Sequence, residues 1–203
     1  IIVFITCSLI SPYFLSFNNV HNILRQVSTS CVLAFGYTCI LSSGHIDLSV
    51  GFMAGMIGMI YALLDTRTGL PFVLVVLIVL AIGALCGFIS SSIITRIGLI
   101  PFIVTLSLGQ IYKGICYVIS RNAPVSGVSM NVKFLGQGYV GPIATPIIVM
   151  VIICLITYII LNKTLFGRNI VAMGGNKETA RLAGINPQRT TMEVYMYSGV
   201  CVA

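Results

Sequence analysis

Charged side chains are scarce in this sequence. Of its 203 residues, 7% are Asp, Glu, Lys or Arg, and only four of those are acidic, whereas soluble domains are about 25% charged. So few charges cannot cover the surface of a soluble globule of 21.8 kDa. With 58% hydrophobic residues and a mean hydropathy of +1.07, the chain is expected to be a polytopic membrane protein. The same composition excludes a disordered chain, a secreted disulfide scaffold and a nucleic-acid binder.

Motifs for catalysis and nucleotide binding are absent as well. The sequence contains no HExxH, no GxSxG and no GxxxxGK[ST]. Its seven cysteines all lie in apolar runs without CxxC or metal-ligand spacing, so we interpret them as small hydrophobic residues in packed helices. We predict that the chain is not an enzyme and binds no metal or cofactor itself, and that any ATP is bound by another chain.

Apolar runs predict about five whole membrane spans. Crossing the hydrocarbon core takes about 20 residues, and three runs are long enough: 71–95, 99–119 and 142–161. Two others, 27–42 and 48–64, fall short and are separated by the polar, glycine-bearing segment 43–47. Such a pattern is typical of short or discontinuous helices around 43–50. The expected fold is an all-α, polytopic transmembrane helical bundle.

Both ends of the chain lie in apolar runs. Residues 1–10 and 190–203 resemble parts of further spans, and the chain starts at Ile1 without a Met. We therefore expect 1–203 to be a single transmembrane domain that is truncated at both ends.

Basic residues predict the orientation. The loops on either side of the 142–161 span must face opposite sides of the membrane. Residues 162–189 carry five Lys or Arg, whereas 120–141 carry two. The positive-inside rule then places 162–189, and also Arg96, in the cytosol.

Two glycine pairs predict close helix packing. Gly51 and Gly55, and likewise Gly83 and Gly87, stand four residues apart on one helix face. Such faces allow helix backbones to approach closely in lipid.

Asp47 is an ionisable residue at the edge of the membrane layer. A charge there is costly without partners. Its carboxylate either caps the next helix by accepting from the N–H of Ser49 or Val50, or belongs with Ser49 and His45 to a polar gate or solute contact on a translocation path; the two roles can coexist. For His45 a loop or interface role is favoured over a proton relay, since Asp47 is the only other ionisable residue within a helical turn.

Residues 176–184 predict a short helix in the basic loop. Asn176 is the expected N-cap, Glu178 lies near the positive helix end, and Gly184 is the expected stop before Pro187. A helix of about seven residues is marginal alone in water. It is expected to dock, either on the chain's own bundle or on a cytosolic partner.

Three sequence blocks together resemble the permease subunit of the ribose-type, simple-sugar branch of bacterial ABC importers. The first is NILRQ at 22–26 followed by SGHIDLSVG at 43–51. The second is PFIVTL at 101–106 with the later KG at 113–114, and the third runs from GR at 167–168 through GGN at 174–176 to ARLAGI at 180–185. The chain departs from the family pattern at His45, where the family has Gly, and at Thr179, where it has Ala.

The resemblance implies an all-helical permease of the bacterial cytoplasmic (inner) membrane. It implies a second permease copy, most simply a homodimer, a separate ABC ATPase subunit that binds ATP and Mg²⁺, and an extracytoplasmic sugar-binding protein. The segment 178–184 is similar to the family's coupling helix, which docks on the ATPase, and 162–189 would be the coupling loop. The implied ATPase-coupling residues are Gly174, Gly175, Asn176, Glu178, Ala180, Arg181 and Gly184.

Other functions remain open from the residues alone. One alternative is the same permease fold importing a different solute, such as an autoinducer, a nucleoside or a branched-chain amino acid. An ion-coupled secondary transporter would need several paired acids or histidines in its spans, and only Asp47 is a candidate. A membrane sensor without transport would not need the short docking helix.

Overall fold

The computed structural model describes residues 2–11 and 13–203, and helices dominate them. The helices are α1 (Ile2–Ile10), α2 (Phe17–Ser42), α3 (Val50–Arg67), α4 (Phe72–Ser92), α5 (Pro101–Ser120), α6 (Met130–Gln137), α7 (Thr145–Lys163), α8 (Leu165–Gly175), α9 (Lys177–Leu182) and α10 (Pro187–Val202). A π-helical turn, Ile93–Ile97, continues α4. Strands β1 (Tyr139–Val140) and β2 (Ile143–Ala144) form a small antiparallel hairpin before α7. The predicted all-α bundle is confirmed.

Within the described residues, five helices are long and apolar enough to cross a membrane. They are Asn19–Ser42, Val50–Arg67, Phe72–Ile97, Pro101–Ser120 and Thr145–Lys163. Four begin and end within about three residues of the predicted runs. The apolar runs therefore predicted both the number and the order of the spans.

The first of these spans corrects the sequence prediction of a short helix at 27–42. Helix α2 begins ten residues earlier, at Phe17, and Ser16 caps it by accepting a hydrogen bond from the N–H of Asn19 at 3.4 Å. Its first turns contain polar residues such as Asn22 and Arg25. These residues lower the hydropathy of a predicted span, although they are compatible with a helix. The predicted break is present nevertheless, because residues 43–49 are not helical.

Helices α4 and α10 approach each other closely. A Cβ atom added to Gly83 would meet the carbonyl oxygen of Gly199, and one added to Gly87 would meet the carbonyl oxygen of Tyr195. The predicted contact face at Gly83 and Gly87 is thus confirmed. The other predicted pair, Gly51 and Gly55, has nothing within 4 Å of the Cβ positions, so this face makes no such contact within the described chain.

Other helices of the bundle also pack against one another. Helix α10 also packs on α2, α2 packs on α7, and α3 packs between α4 and α5. At one end of the bundle, α8 contacts both α2 and α10. This end brings together segments that are far apart in the sequence.

Candidate functional site

The end of the bundle next to α8 and α9 collects most of the segments that the sequence analysis selected. Gly44 and His45 of the break, the turn 98–100 before α5, and the segment 177–188 surround a cavity of about 900 Å³. We call this region the basic end. Six basic residues lie in it or on the adjoining helix ends: Arg96, Lys163, Arg168, Lys177, Arg181 and Arg189. Of the predicted gate residues, His45 lines the cavity, and so do the coupling residues Glu178, Arg181 and Gly184.

Asp47 is buried in the break and organises its backbone. The residue is only 5% exposed, and its Oδ1 accepts hydrogen bonds from the backbone N–H of Ser49 at 2.7 Å and from the Ser49 hydroxyl at 2.6 Å. The predicted bond from Ser49 is therefore present, but the N-cap residue of α3 is Ser49 itself, so Asp47 lies two residues before the N-cap. Burial raises the pKa of Asp47, and the two bonds from Ser49 oppose that rise.

The break is also tied to helix α5. The backbone N–H of Leu48 donates to Oγ1 of the fully buried Thr105 at 3.1 Å. In a membrane bundle, a buried backbone N–H group that lies outside a helix needs such a hydrogen-bond partner. Among the described residues, Asp47 and Ser49 do not line the cavity, and their role as a gate stays a prediction.

His45 is part of the break and lies near Lys177 at the start of α9. Its Nδ1 is 2.9 Å from the hydroxyl of Ser43, and its ring stands edge-on to Tyr195 with centroids 6.1 Å apart. Burial lowers the pKa of His45, and the nearby positive charge of Lys177 lowers it further. The imidazole is thus favoured in its neutral form beside the basic helix.

Helix α9 is closed at both ends by local hydrogen bonds. Oδ1 of Asn176 accepts from the N–H of Thr179 at 2.9 Å, which confirms the predicted N-cap. Gly184 has a φ of 85°. Its N–H donates to the carbonyl of Arg181, and that of Ile185 donates to the carbonyl of Ala180, each at 3.0 Å. These two bonds form a Schellman motif, so the predicted stop at Gly184 is also confirmed.

Gly174 brings the end of α8 against the break. A Cβ atom at this position would collide with the carbonyl oxygen of Ser42 and would lie 3.4 Å from the nitrogen of Gly44. At Gly175 nothing lies within 4 Å of the same position. Of these two predicted coupling residues, only Gly174 makes a contact that requires glycine.

Helix α9 presents most of its side chains outward. Ala180 is its buried residue and faces the bundle, whereas Glu178 and Arg181 are exposed and form a 3.8 Å ion pair that contributes under about 1 kcal/mol. Leu182 is 84% exposed. Because burial of apolar surface drives most protein–protein association, an exposed leucine on this capped helix is a candidate contact for another protein.

The exposure of Leu182 was not predicted, although a signal for it existed. Residues two apart on a helix lie nearly opposite each other, so a buried Ala180 requires an outward Leu182. The bond from Leu48 to Thr105 had no such signal, since 57 residues separate the partners.

Comparison with known proteins identifies the family. A family model described as the permease component of the branched-chain amino acid transport system matches residues 19–203. The chain is 37% identical to the ribose import permease protein RbsC of Haemophilus influenzae, covering 98% of this chain and 62% of that protein. It is 35% identical to RbsC of Bacillus subtilis, covering 100% of this chain and 63% of that protein.

Another relative handles a different sugar. The D-allose transport system permease protein AlsC of Escherichia coli is 37% identical, covering 99% of this chain and 62% of that protein. The chain thus spans less than two thirds of the length of these relatives. No solved structure matches it.

These relatives confirm the resemblance to sugar importer permeases that the three sequence blocks predicted. Together with the five long apolar helices found among the described residues, the family assignment makes the chain a multi-pass protein of the inner membrane. The chain belongs to the family described as the permease component of the branched-chain amino acid transport system.

Proposed function

We propose that this chain is part of the permease subunit of an ATP-driven sugar importer, and that α9 couples the solute passage to a separate ATPase subunit. The observation that carries the proposal is the construction of α9. Its two closed ends and its buried Ala180 hold it in place, while Leu182 points outward. Such a helix suits docking on a partner better than packing in its own bundle.

The docking side is the cytosol. The positive-inside rule places the basic end there, and the ATPase with its ATP and Mg²⁺ is the partner that the family resemblance implies. On the opposite side we expect an extracytoplasmic sugar-binding protein. A second permease copy would complete the passage.

Motion of α9 has a direct route into the membrane bundle. Helix α8 ends at Gly175, next to the N-cap of α9, and Gly174 abuts Ser42 and Gly44. The break in turn connects α2 to α3 and is bonded to α5 through Thr105. ATP-driven displacement of α9 would therefore shift the break and tilt these helices, as alternating access requires.

A sugar is the solute class that the relatives favour. Relatives that match nearly the whole of this chain are named for ribose import and D-allose transport. A branched-chain amino acid is the second candidate, because the family description names it. Uptake of labelled ribose, allose and leucine by a strain that carries the complete transporter distinguishes the two; uptake of leucine alone would contradict the sugar assignment.

Leu182 provides the test of docking. Burial of a leucine is worth about 1.5–3 kcal/mol, so Leu182→Ser is expected to weaken ATPase binding about tenfold or more. The affinity of the purified permease for the ATPase measures this effect. Leu165→Ser is the matched control, since Leu165 is also exposed but lies on α8. Equal affinities of the two variants would refute α9 as the docking element.

A further inference from the structure

The cavity at the basic end has a wall on three sides. Gly44 and His45 from the break form one wall, the turn 98–100 forms the second, and 177–188 form the third. Its volume of about 900 Å³ is many times the ~30 Å³ that one water molecule occupies in the liquid. An inorganic phosphate alone would leave most of this space filled with water.

Positive charge predominates around the cavity. Lys177 and Arg181 line it, and Glu178 is its acidic residue. Glu178 pairs with Arg181 at 3.8 Å, whereas within residues 2–11 and 13–203 Lys177 has no ion pair. Helix α5 begins at the cavity wall with Pro101 and has no side-chain cap, so its positive dipole end adds to the charge. The cavity therefore favours an anion.

The rim beside this charged cavity is apolar. Ile97, Leu99 and Ile100 are largely exposed. They lie where the span Phe72–Ile97 ends and the span Pro101–Ser120 begins, which is the boundary between hydrocarbon and headgroups. Apolar side chains at this depth contact lipid acyl chains.

We propose that the cavity binds the phosphate headgroup of an anionic phospholipid, whose acyl chains run along Ile97 and Ile100. The phosphate would lie near Lys177 and Arg181, and the glycerol end would fill the remaining space. Basic pockets between transmembrane helices on the cytoplasmic side are suited to such headgroups. The proposal uses no property of the solute. Because Lys177 and Arg181 lie on α9, the proposed docking helix, lipid binding is tested on the permease without its ATPase.

The test uses the full-length permease purified in zwitterionic detergent. Binding of phosphatidylglycerol is measured by native mass spectrometry and by the rise in the thermal midpoint. Phosphatidylcholine and inorganic phosphate are the comparison ligands. We expect saturable binding of phosphatidylglycerol and no comparable effect of the other two. Equal binding of phosphatidylcholine would overturn the charge argument, and full stabilisation by inorganic phosphate would overturn the lipid assignment.

Matched variants locate the site. The double variant Lys177→Gln, Arg181→Gln is expected to lose about fivefold in affinity for each removed charge. The control Lys163→Gln, Arg168→Gln removes the same charge from exposed residues of the basic end that do not line the cavity, and it should bind within about twofold of the wild type. Arg181→Lys, which keeps the charge, should retain binding. Equal losses in the two double variants would mean that lipid binds the basic surface in general, and the proposal would be wrong.

Discussion

Replacing Gly174 by alanine is expected to separate the coupling segment from the membrane bundle. The new methyl group would overlap the carbonyl oxygen of Ser42 and lie 3.0 Å from its carbonyl carbon. Both neighbours are backbone atoms, which cannot rotate away as a flexible side chain would. The end of α8 must therefore move away from the break or strain it.

The size of the effect follows from two opposing contributions. Overpacking of this kind costs about 1–3 kcal/mol, and the better helix propensity of alanine returns up to about 1 kcal/mol. We expect Gly174→Ala to lower the thermal midpoint of the purified permease. We also expect it to reduce uptake per ATP hydrolysed, because the proposed route from α9 to the break passes through this contact.

Gly175→Ala is the control, since it makes the same chemical change one residue along the same helix. Nothing lies within 4 Å of its Cβ position, and its midpoint and uptake should equal or slightly exceed those of the wild type. Circular dichroism melts and transport in proteoliposomes measure both variants. If Gly174→Ala matched Gly175→Ala in both assays, the close contact with Ser42 would not transmit the motion.

Two further predictions concern the break. Asp47→Ala leaves the two Ser49 donors without their acceptor and should cost about 1–3 kcal/mol of stability. Asp47→Asn keeps an acceptor oxygen and should cost less. Equal thermal midpoints of the two variants would rule out this hydrogen-bonding role of Asp47. Because burial and Lys177 lower the pKa of His45 below its ordinary value of 6.5, the unfolded chain takes up this proton at a higher pH than the folded protein does. The free energy of unfolding should therefore fall as the pH drops below about 6.5. His45→Gln should reduce that fall, and His21→Gln is the control for losing a histidine. An unchanged pH dependence in His45→Gln would contradict the attribution of the effect to His45.

Much of the fold could be predicted because its elements carry local signals. Apolar runs marked the spans, and Asn176 and Gly184 marked the ends of α9, since capping depends on residues a few positions apart. The start of α2 was missed because polar residues such as Arg25 continue a helix beyond its apolar part.

Features that depend on distant residues could not be predicted in the same way. The sequence indicated that Asp47 is an ionisable residue at the membrane edge. Whether Asp47 lines the cavity depends on the three-dimensional path of the break, which no local pattern predicts. The contact of Gly174 with Ser42 joins positions that no local pattern connects. Two glycines four residues apart also do not by themselves show that a helix face packs against a neighbouring helix. The different surroundings of Gly87 and Gly55 demonstrate this.

The most direct measurement of the central claim is ATP-dependent ribose uptake by the complete transporter in proteoliposomes, with residue 184 varied. Gly184→Pro cannot adopt the positive φ of 85° and removes the N–H that bonds to Arg181, so it should open the end of α9 and abolish uptake while the permease remains inserted. Gly184→Asn tolerates this conformation and should retain much of the uptake. Wild-type uptake by Gly184→Pro would contradict the role of α9 in coupling.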